Sequence, residues 1–266
     1  MQNISHYWVD KEARAEIARK HLLFVRANYA GAIDTSIRRA QIYTRKPGQE
    51  VKTSSFFTQT VPQIVIAEDS VTAVLNAARI NPNKKVAVLN FASYKNPGGA
   101  FMQGSRAQEE SLCHESTLFP VLEQFEAQFY ALNRQNLNRA LYTDRVLYTP
   151  EIVFMRDEQS VIVDVLTCAA PNFRTATKYN LVTSEDNTRA LEKRIEFIFH
   201  ILADQKVKIF IAGAYGCGVF GQDPTVVANI FKKCSKEIST DLEQIIYAVP
   251  KDRSYNYERF LQAIGG

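Results

Sequence analysis

The sequence predicts an α/β domain with helices on both faces of a sheet, and three observations carry that prediction. Short apolar runs alternate with segments of helical periodicity along most of the 266 residues. Two glycine-containing segments each leave a strand candidate and lead into a helix candidate. Between the elements there is no tract with the composition of a linker, an internal repeat or a low-complexity segment. One domain spanning 1–266 is therefore expected, with an N-terminal helical extension over about residues 1–60.

The elements follow in order. After Asp10, which can cap a first turn, Ala13, Ile17, Ala18, Leu22 and Val25 recur at helical spacing to about Tyr29. This predicts an N-terminal helix packed on the main sheet. The stretch from Tyr43 to Thr58 is rich in Lys, Thr, Ser and Gln around Pro47-Gly48, and reads as a loop or ragged strand able to serve as a flap. Strands are predicted at Gln63 to Ala67, Val86 to Phe91, Val161 to Leu166, Lys208 to Ala212 and Ile245 to Val249. Helices are predicted at Ser70 to Ala78, Gln108 to Tyr130, Thr188 to Ala203, Thr225 to Ile238 and Tyr257 to Ala263.

Composition narrows the function classes. A 46% hydrophobic and 23% charged chain is an ordinary soluble globule, and a net charge of +4 without basic runs suits a small anionic ligand better than a nucleic-acid duplex. Cys113, Cys168, Cys217 and Cys234 form no C-x-x-C pair, and the four histidines show no metal-ligand spacing. Reduced thiols, no metal site and no cofactor are expected. The start, Met1 to Asp10, lacks an apolar signal segment, and no run of about 18 apolar residues occurs. A cytoplasmic monomer that avoids membranes is the expectation.

The chemistry concentrates in Ser93-Tyr-Lys-Asn-Pro-Gly-Gly-Ala-Phe-Met-Gln-Gly-Ser-Arg-Ala-Gln-Glu-Glu110. Glycines let main-chain N–H groups approach anionic oxygens closely, and a following helix start adds partial positive charge. Ser105-Arg-Ala-Gln108 spells a capping box, which puts Glu109 and Glu110 in a first helical turn, where carboxylates are favoured. That local pattern alone favours a structural reading of the two acids. Asn96-Pro97-Gly98 can likewise be a plain turn. A second loop, Gly216-Cys217-Gly218-Val219-Phe220-Gly221, follows a strand and precedes a helix that Asp223 can cap and Pro224 can open. It spells G-x-G-x-x-G, but no strand ends in an acidic residue about 20 residues on, so a Rossmann oxidoreductase is rejected. Phe220 can face a ligand or the core. Asp69 can accept from a ligand or cap the helix at Ser70, and the two readings stand level. Asn172 is a possible neighbour of the site with a structural reading favoured, His114 reads as a surface or capping residue, and neither Cys113 nor Cys217 is given a nucleophilic role.

The first loop resembles the signature of poly(ADP-ribose) glycohydrolases, a glycine triplet followed after six to eight residues by Gln-Glu-Glu. Here Gly98-Gly99-Ala100 and Gln108-Glu109-Glu110 keep the spacing, with alanine at the third glycine. The segments 86–93, 147–157, 166–172 and 213–224 are also similar to the microbial branch of that family, so the likeness covers most of residues 10–262. The resemblance implies a three-layer α/β/α macrodomain with a mixed sheet, binding ADP-ribose at the strand ends. It implies that Glu110 is the catalytic acid, that Glu109 helps to hold the substrate ribose, and that Asn96 bonds ribose hydroxyls. Gly98, Gly99, Ala100, Gln108 and the second loop would complete the binding surface, with Asp69 at the adenine. The implied activity is metal-free hydrolysis of ribose–ribose O-glycosidic bonds. The alternatives are removal of single ADP-ribose units from protein or nucleic acid, and a non-catalytic ADP-ribose reader, against which the intact Gln-Glu-Glu argues.

Overall fold

The chain enters through two helices, α1 (Lys11–Asn28) and α2 (Ala30–Arg39), in a computed structural model that describes residues 10–45 and 61–265. Asp10 caps α1 as expected, accepting the Ala13 N–H at 2.8 Å. There follow β1 (Gln41–Thr44), β2 (Gln63–Ile66), α3 (Ser70–Ile80), β3 (Val86–Phe91), α4 (Gln108–His114), α5 (Leu118–Glu123) and α6 (Ala131–Gln135). The second half comprises β4 (Arg145–Arg156), β5 (Gln159–Cys168), α7 (Phe173–Lys178), α8 (Ser184–Asp204), β6 (Ile209–Ala212), α9 (Pro224–Glu237), β7 (Gln244–Ala248) and α10 (Asn256–Gly265).

The strands form one mixed seven-stranded sheet in the order β1-β4-β5-β3-β6-β7-β2. The β1/β4 and β4/β5 pairs are antiparallel, and the other four pairs are parallel. Strand periodicity divides the core. Ala87 and Leu89 of β3 pack with Ile195 and Phe199 of α8, Phe231 of α9 and Phe260 of α10. Val86 and Val88 face the other way, onto Val71 and Val74 of α3 and Leu112 of α4. Burial on both faces is why these parallel strands read as continuous apolar runs.

Three expectations need correction, and a fourth is only partly covered by the described residues. The helix read from Gln108 to Tyr130 is broken into α4, α5 and a π-helical turn at Glu126–Tyr130. Between α4 and α5 the chain pairs with β4, Ser116 bridging Phe154, and Pro120 cannot donate the bond that a continuous helix requires. Strand β4 was not expected, because Pro150 and a register shift between Thr149 and Ile152 interrupt its pattern. Of the flap candidate, Tyr43 and Thr44 belong to β1, and residues 46–58 lie outside the described residues. Finally, α1 rests on the first glycine loop and the neighbouring helices rather than on the sheet. A Cβ on Gly104, whose φ is +73°, would collide with the Lys11 carbonyl, and Arg14 Nε donates to the Gly104 carbonyl at 2.8 Å.

Candidate active site

The first loop rises from the C-terminal end of β3. Its turn is closed by the Gly99 N–H on the Asn96 carbonyl and the Phe101 N–H on the Gly98 carbonyl, both at 3.1 Å. Gly98 and Gly99 both have positive φ, +63° and +62°. A Cβ on Gly98 would stand 2.5 Å from the Phe119 ring, and one on Gly99 would stand 2.5 Å from Glu110 Oε1 and 3.0 Å from Glu109 Oε2. Glycine is thus what lets the backbone lie flush against both carboxylates. At Ala100 the backbone has φ −115°, so the extra Cβ meets no left-handed strain there. Asn96 is exposed, and its N–H donates to Ser93 Oγ at 3.2 Å.

Helix α4 starts without the expected capping box. Its N-cap is Ala107, with no side-chain cap, and the Ser105 N–H bonds the Ala100 carbonyl instead. The reason is that Gln108 is drawn inward by the end of β3. Its Oε1 accepts the Phe91 N–H at 2.8 Å, while its Nε2 donates to the Leu89 carbonyl at 2.8 Å and to Ser70 Oγ at 3.2 Å. The amide expected to face a ligand therefore ties β3, α3 and α4 together.

That tie delivers Glu109 and Glu110 at the helix start with only 3% and 6% of their surfaces exposed. Glu109 accepts from the Ser93 N–H at 2.6 Å and from Asn90 Nδ2 at 3.1 Å. Burial pushes its carboxyl up to about 8, against those two donors and with the charge of Glu110 adding to the rise. Glu110 Oε1 accepts the Ala100 N–H at 3.0 Å, and its Oε2 has no hydrogen-bond partner among the described residues. The two neighbours thus differ: one acid is locked from both oxygens, the other is held by one. Burial, then the two carboxylates, drives the Cys113 thiol well up, which suits an inert core cysteine. His114 is buried rather than superficial, its ring edge-on to Phe101 at 4.7 Å.

The second loop leaves β6, the parallel neighbour of β3, so the two loops stand side by side at the strand ends. Gly216, at φ +75°, fits against Ala170, where a Cβ would approach to 2.7 Å. Gln222 and Asn187 exchange amide hydrogen bonds at 2.8 Å and Gln222 also donates to the Pro171 carbonyl, fixing the base of the loop. Gly218 and Val219 form the exposed tip, Gly221 backs onto Arg174, and Cys217 is half-buried with its thiol pushed up by burial. Phe220 is half-buried, its carbonyl taking the Arg174 N–H at 2.9 Å. Asp223 caps α9 through the Thr225 and Val226 N–H groups, with Pro224 in its first turn.

Asp69 ends the loop after β2 and caps α3, accepting from the Val71 and Thr72 N–H groups, the Thr72 hydroxyl and Arg156. Burial alone would raise its pKa, but those donors hold it below the usual carboxylate range. Asn172 caps α7 through the Thr175 N–H at 3.0 Å. The structure therefore gathers Glu109, Glu110, Gly99 and Ala100 tightly, sets Gly216–Gly221 beside them, and gives Gln108, Asp69 and Asn172 structural bonds. Asn90 and Ser93, which hold Glu109, were missed by sequence reasoning. An asparagine in the otherwise apolar run Val86-Ala-Val-Leu-Asn-Phe91 was the available signal. No group of three or more His, Cys, Asp or Glu side chains among the described residues is arranged to hold a metal ion, and no described helix is long and apolar enough to cross a membrane.

Backbone-lined loops beside a buried carboxylic acid are what hydrolysis of an anionic glycoside requires, and a macrodomain-type α/β/α layering supplies them here. Residues 16–157 match the family described as microbial-type PARG, catalytic domain, and the chain belongs to that family of poly(ADP-ribose) glycohydrolases. The fold agrees. The chain is similar to a poly(ADP-ribose) glycohydrolase from Thermomonospora curvata bound to the inhibitor ADP-HPD, with a TM-score of 0.81 and 26% identity over 94% of this chain and 99% of that one. It is also similar to the Deinococcus radiodurans enzyme in complex with ADP-ribose, with a TM-score of 0.76 and 28% identity over 87% and 96% of the two chains. No curated protein matched the chain.

Proposed function

We propose that this chain hydrolyses the ribose–ribose O-glycosidic bond of poly(ADP-ribose) and releases ADP-ribose, with Glu110 as the general acid and then the general base. The observation that carries the assignment is the unequal holding of the two carboxylates. Glu109 spends both oxygens on Asn90 and Ser93, whereas Glu110 is fixed through Oε1 alone and keeps Oε2 for a reacting oxygen. Cleavage at the ribosyl C1″ passes through an oxocarbenium-like state, and the leaving oxygen needs a proton as the bond breaks. Glu110 supplies it, then as carboxylate draws a proton from the water that attacks C1″. Glu109 is the positioning acid beside the ribose.

The two loops serve the anionic part of the substrate. Backbone N–H groups of the second loop face the diphosphate, Phe220 lies against the ligand, and the first loop from Gly98 to Gly104 encloses the distal ribose. The whole chain acts as one domain, with α1 bracing the first loop at Gly104.

The test is Glu110→Gln, which keeps the shape and removes the proton. Release of ADP-ribose from polymer should fall by about 10²–10⁴, while ADP-ribose binding by calorimetry stays within a few-fold. Turnover near that of the parent would remove Glu110 from the chemistry. Running polymer beside a mono-ADP-ribosylated protein separates the substrates: cleavage of the latter alone would overturn the polymer assignment and leave the acid in place.

A further inference from the structure

Tyr142 belongs to neither glycine loop, yet it touches both. We propose that it is a positioning residue for substrate binding, holding Phe220 of the second loop in register with the first; this rests on the reading of Phe220 as a ligand-contacting ring. The Tyr142 ring stacks on Tyr94 of the first loop, with centroids 4.0 Å apart and planes 8° from parallel. Its edge meets Phe220 at 6.0 Å and 65°. The edge-to-face contact is one in which aromatic quadrupoles attract, and the stack packs the Tyr142 face against Tyr94.

The backbone under Tyr142 is held in an uncommon conformation. Asn138, Arg139, Ala140 and Tyr142 have φ of +42°, +53°, +67° and +63°. Left-handed backbone at a bulky residue costs free energy and persists only where its surroundings enforce it. Here they do. Arg194 of α8, 1% exposed, donates to the Leu141 and Ala169 carbonyls and pairs with Asp144 at 2.6 Å. Asn138 Nδ2 donates to the Tyr142 carbonyl at 2.8 Å, and the Tyr142 N–H donates to the Leu137 carbonyl at 3.2 Å.

The restraint then closes on Phe220 from a second side. Asn172 gives its N–H to the Ala140 carbonyl at 2.9 Å and points Nδ2 at the Tyr142 hydroxyl at 3.4 Å. The same asparagine caps α7, whose Arg174 N–H bonds the Phe220 carbonyl. Phe220 is thereby held by its ring through Tyr142 and by its backbone through α7. Tyr142 itself is buried, so it acts on the ligand through Phe220.

The experiment is a double-mutant cycle on ADP-ribose binding by calorimetry, with kcat and KM on polymer. Tyr142→Leu should weaken ADP-ribose and raise KM about 3- to 10-fold, the range set by one aromatic pair, while kcat at saturation stays within about two-fold. Tyr142→Phe keeps both ring contacts and should bind like the parent. In a Phe220→Ala background, Tyr142→Leu should add no further loss of affinity. If Tyr142→Leu fails to fold, the unbranched Tyr142→Met replaces it. Unchanged affinity in the Leu or Met variant, or losses that add fully to those of Phe220→Ala, would overturn the proposal while leaving Phe220 at the ligand. Normal binding by Phe220→Ala alone would overturn the reading of Phe220, and this inference with it.

Discussion

Replacing Gly99 with alanine separates the placement of the carboxylates from the integrity of the fold. The new Cβ would lie 2.5 Å from Glu110 Oε1, closer than a Cβ contact tolerates, and 3.0 Å from Glu109 Oε2, a tight contact. What it meets first is the end of the Glu110 side chain, which is held through Oε1 alone, so that carboxylate turns aside and the protein still folds. The direct cost is the left-handed φ of +62°, about 1–2 kcal/mol for a residue with a Cβ, which lowers Tm by on the order of 5 °C in a domain of this size. The catalytic cost is larger. Glu110 loses its 3.0 Å bond from the Ala100 N–H, and a displacement of about 1 Å is worth roughly 10² in rate. Thermal melting and polymer hydrolysis on the same preparation should therefore show a modest fall in Tm and a kcat lower by about two orders of magnitude. A folded Gly99→Ala protein with kcat near the parent's would refute the argument that this glycine exists to seat Glu110. Ala100→Gly is the control: with φ −115° it relieves no strain, and it should lose only about 0.5–1 kcal/mol of stability with activity kept.

Two further perturbations probe the surroundings. Because burial raises the Glu109 carboxyl from 4.5 to about 8, the native protein binds more protons than the unfolded chain across that window, and stability should fall as pH rises through it. Glu109→Gln should flatten this slope, read from denaturant midpoints at several pH values; an unchanged slope would place its origin elsewhere. Arg194→Leu takes from Asp144 its 2.6 Å guanidinium partner, leaving it only the 3.9 Å pair with Arg45, and strips the Leu141 carbonyl of its side-chain donor, so it should cost about 3 kcal/mol, on the order of 10 °C in Tm. A loss under about 1 kcal/mol would show that the leucine's packing makes up for the missing bonds.

The α/β class, five of the strands, most of the long helices and the two glycine loops were legible from the residues alone. Each of those rests on a local signal. Apolar runs buried on both faces mark β3 and β6, Asp10 and Asp223 cap where their positions say they should, and the Gly98–Glu110 spacing carries the family likeness. Long-range packing, by contrast, settles which polar groups spend their hydrogen bonds on the protein. Gln108 looks like a capping partner until the end of β3 offers it the Phe91 N–H and the Leu89 carbonyl. Glu109 and Glu110 are equivalent as letters, and they part only because Asn90 and Ser93 reach one while Ala100 reaches the other. Strand β4 and the Tyr142 turn lay hidden for the same reason. Pro150 breaks the local strand pattern, and the left-handed turn is held by Arg194 from a helix about 50 residues further along the chain. Hydrogen-bond partners distant in sequence are set by packing, and no local periodicity encodes them.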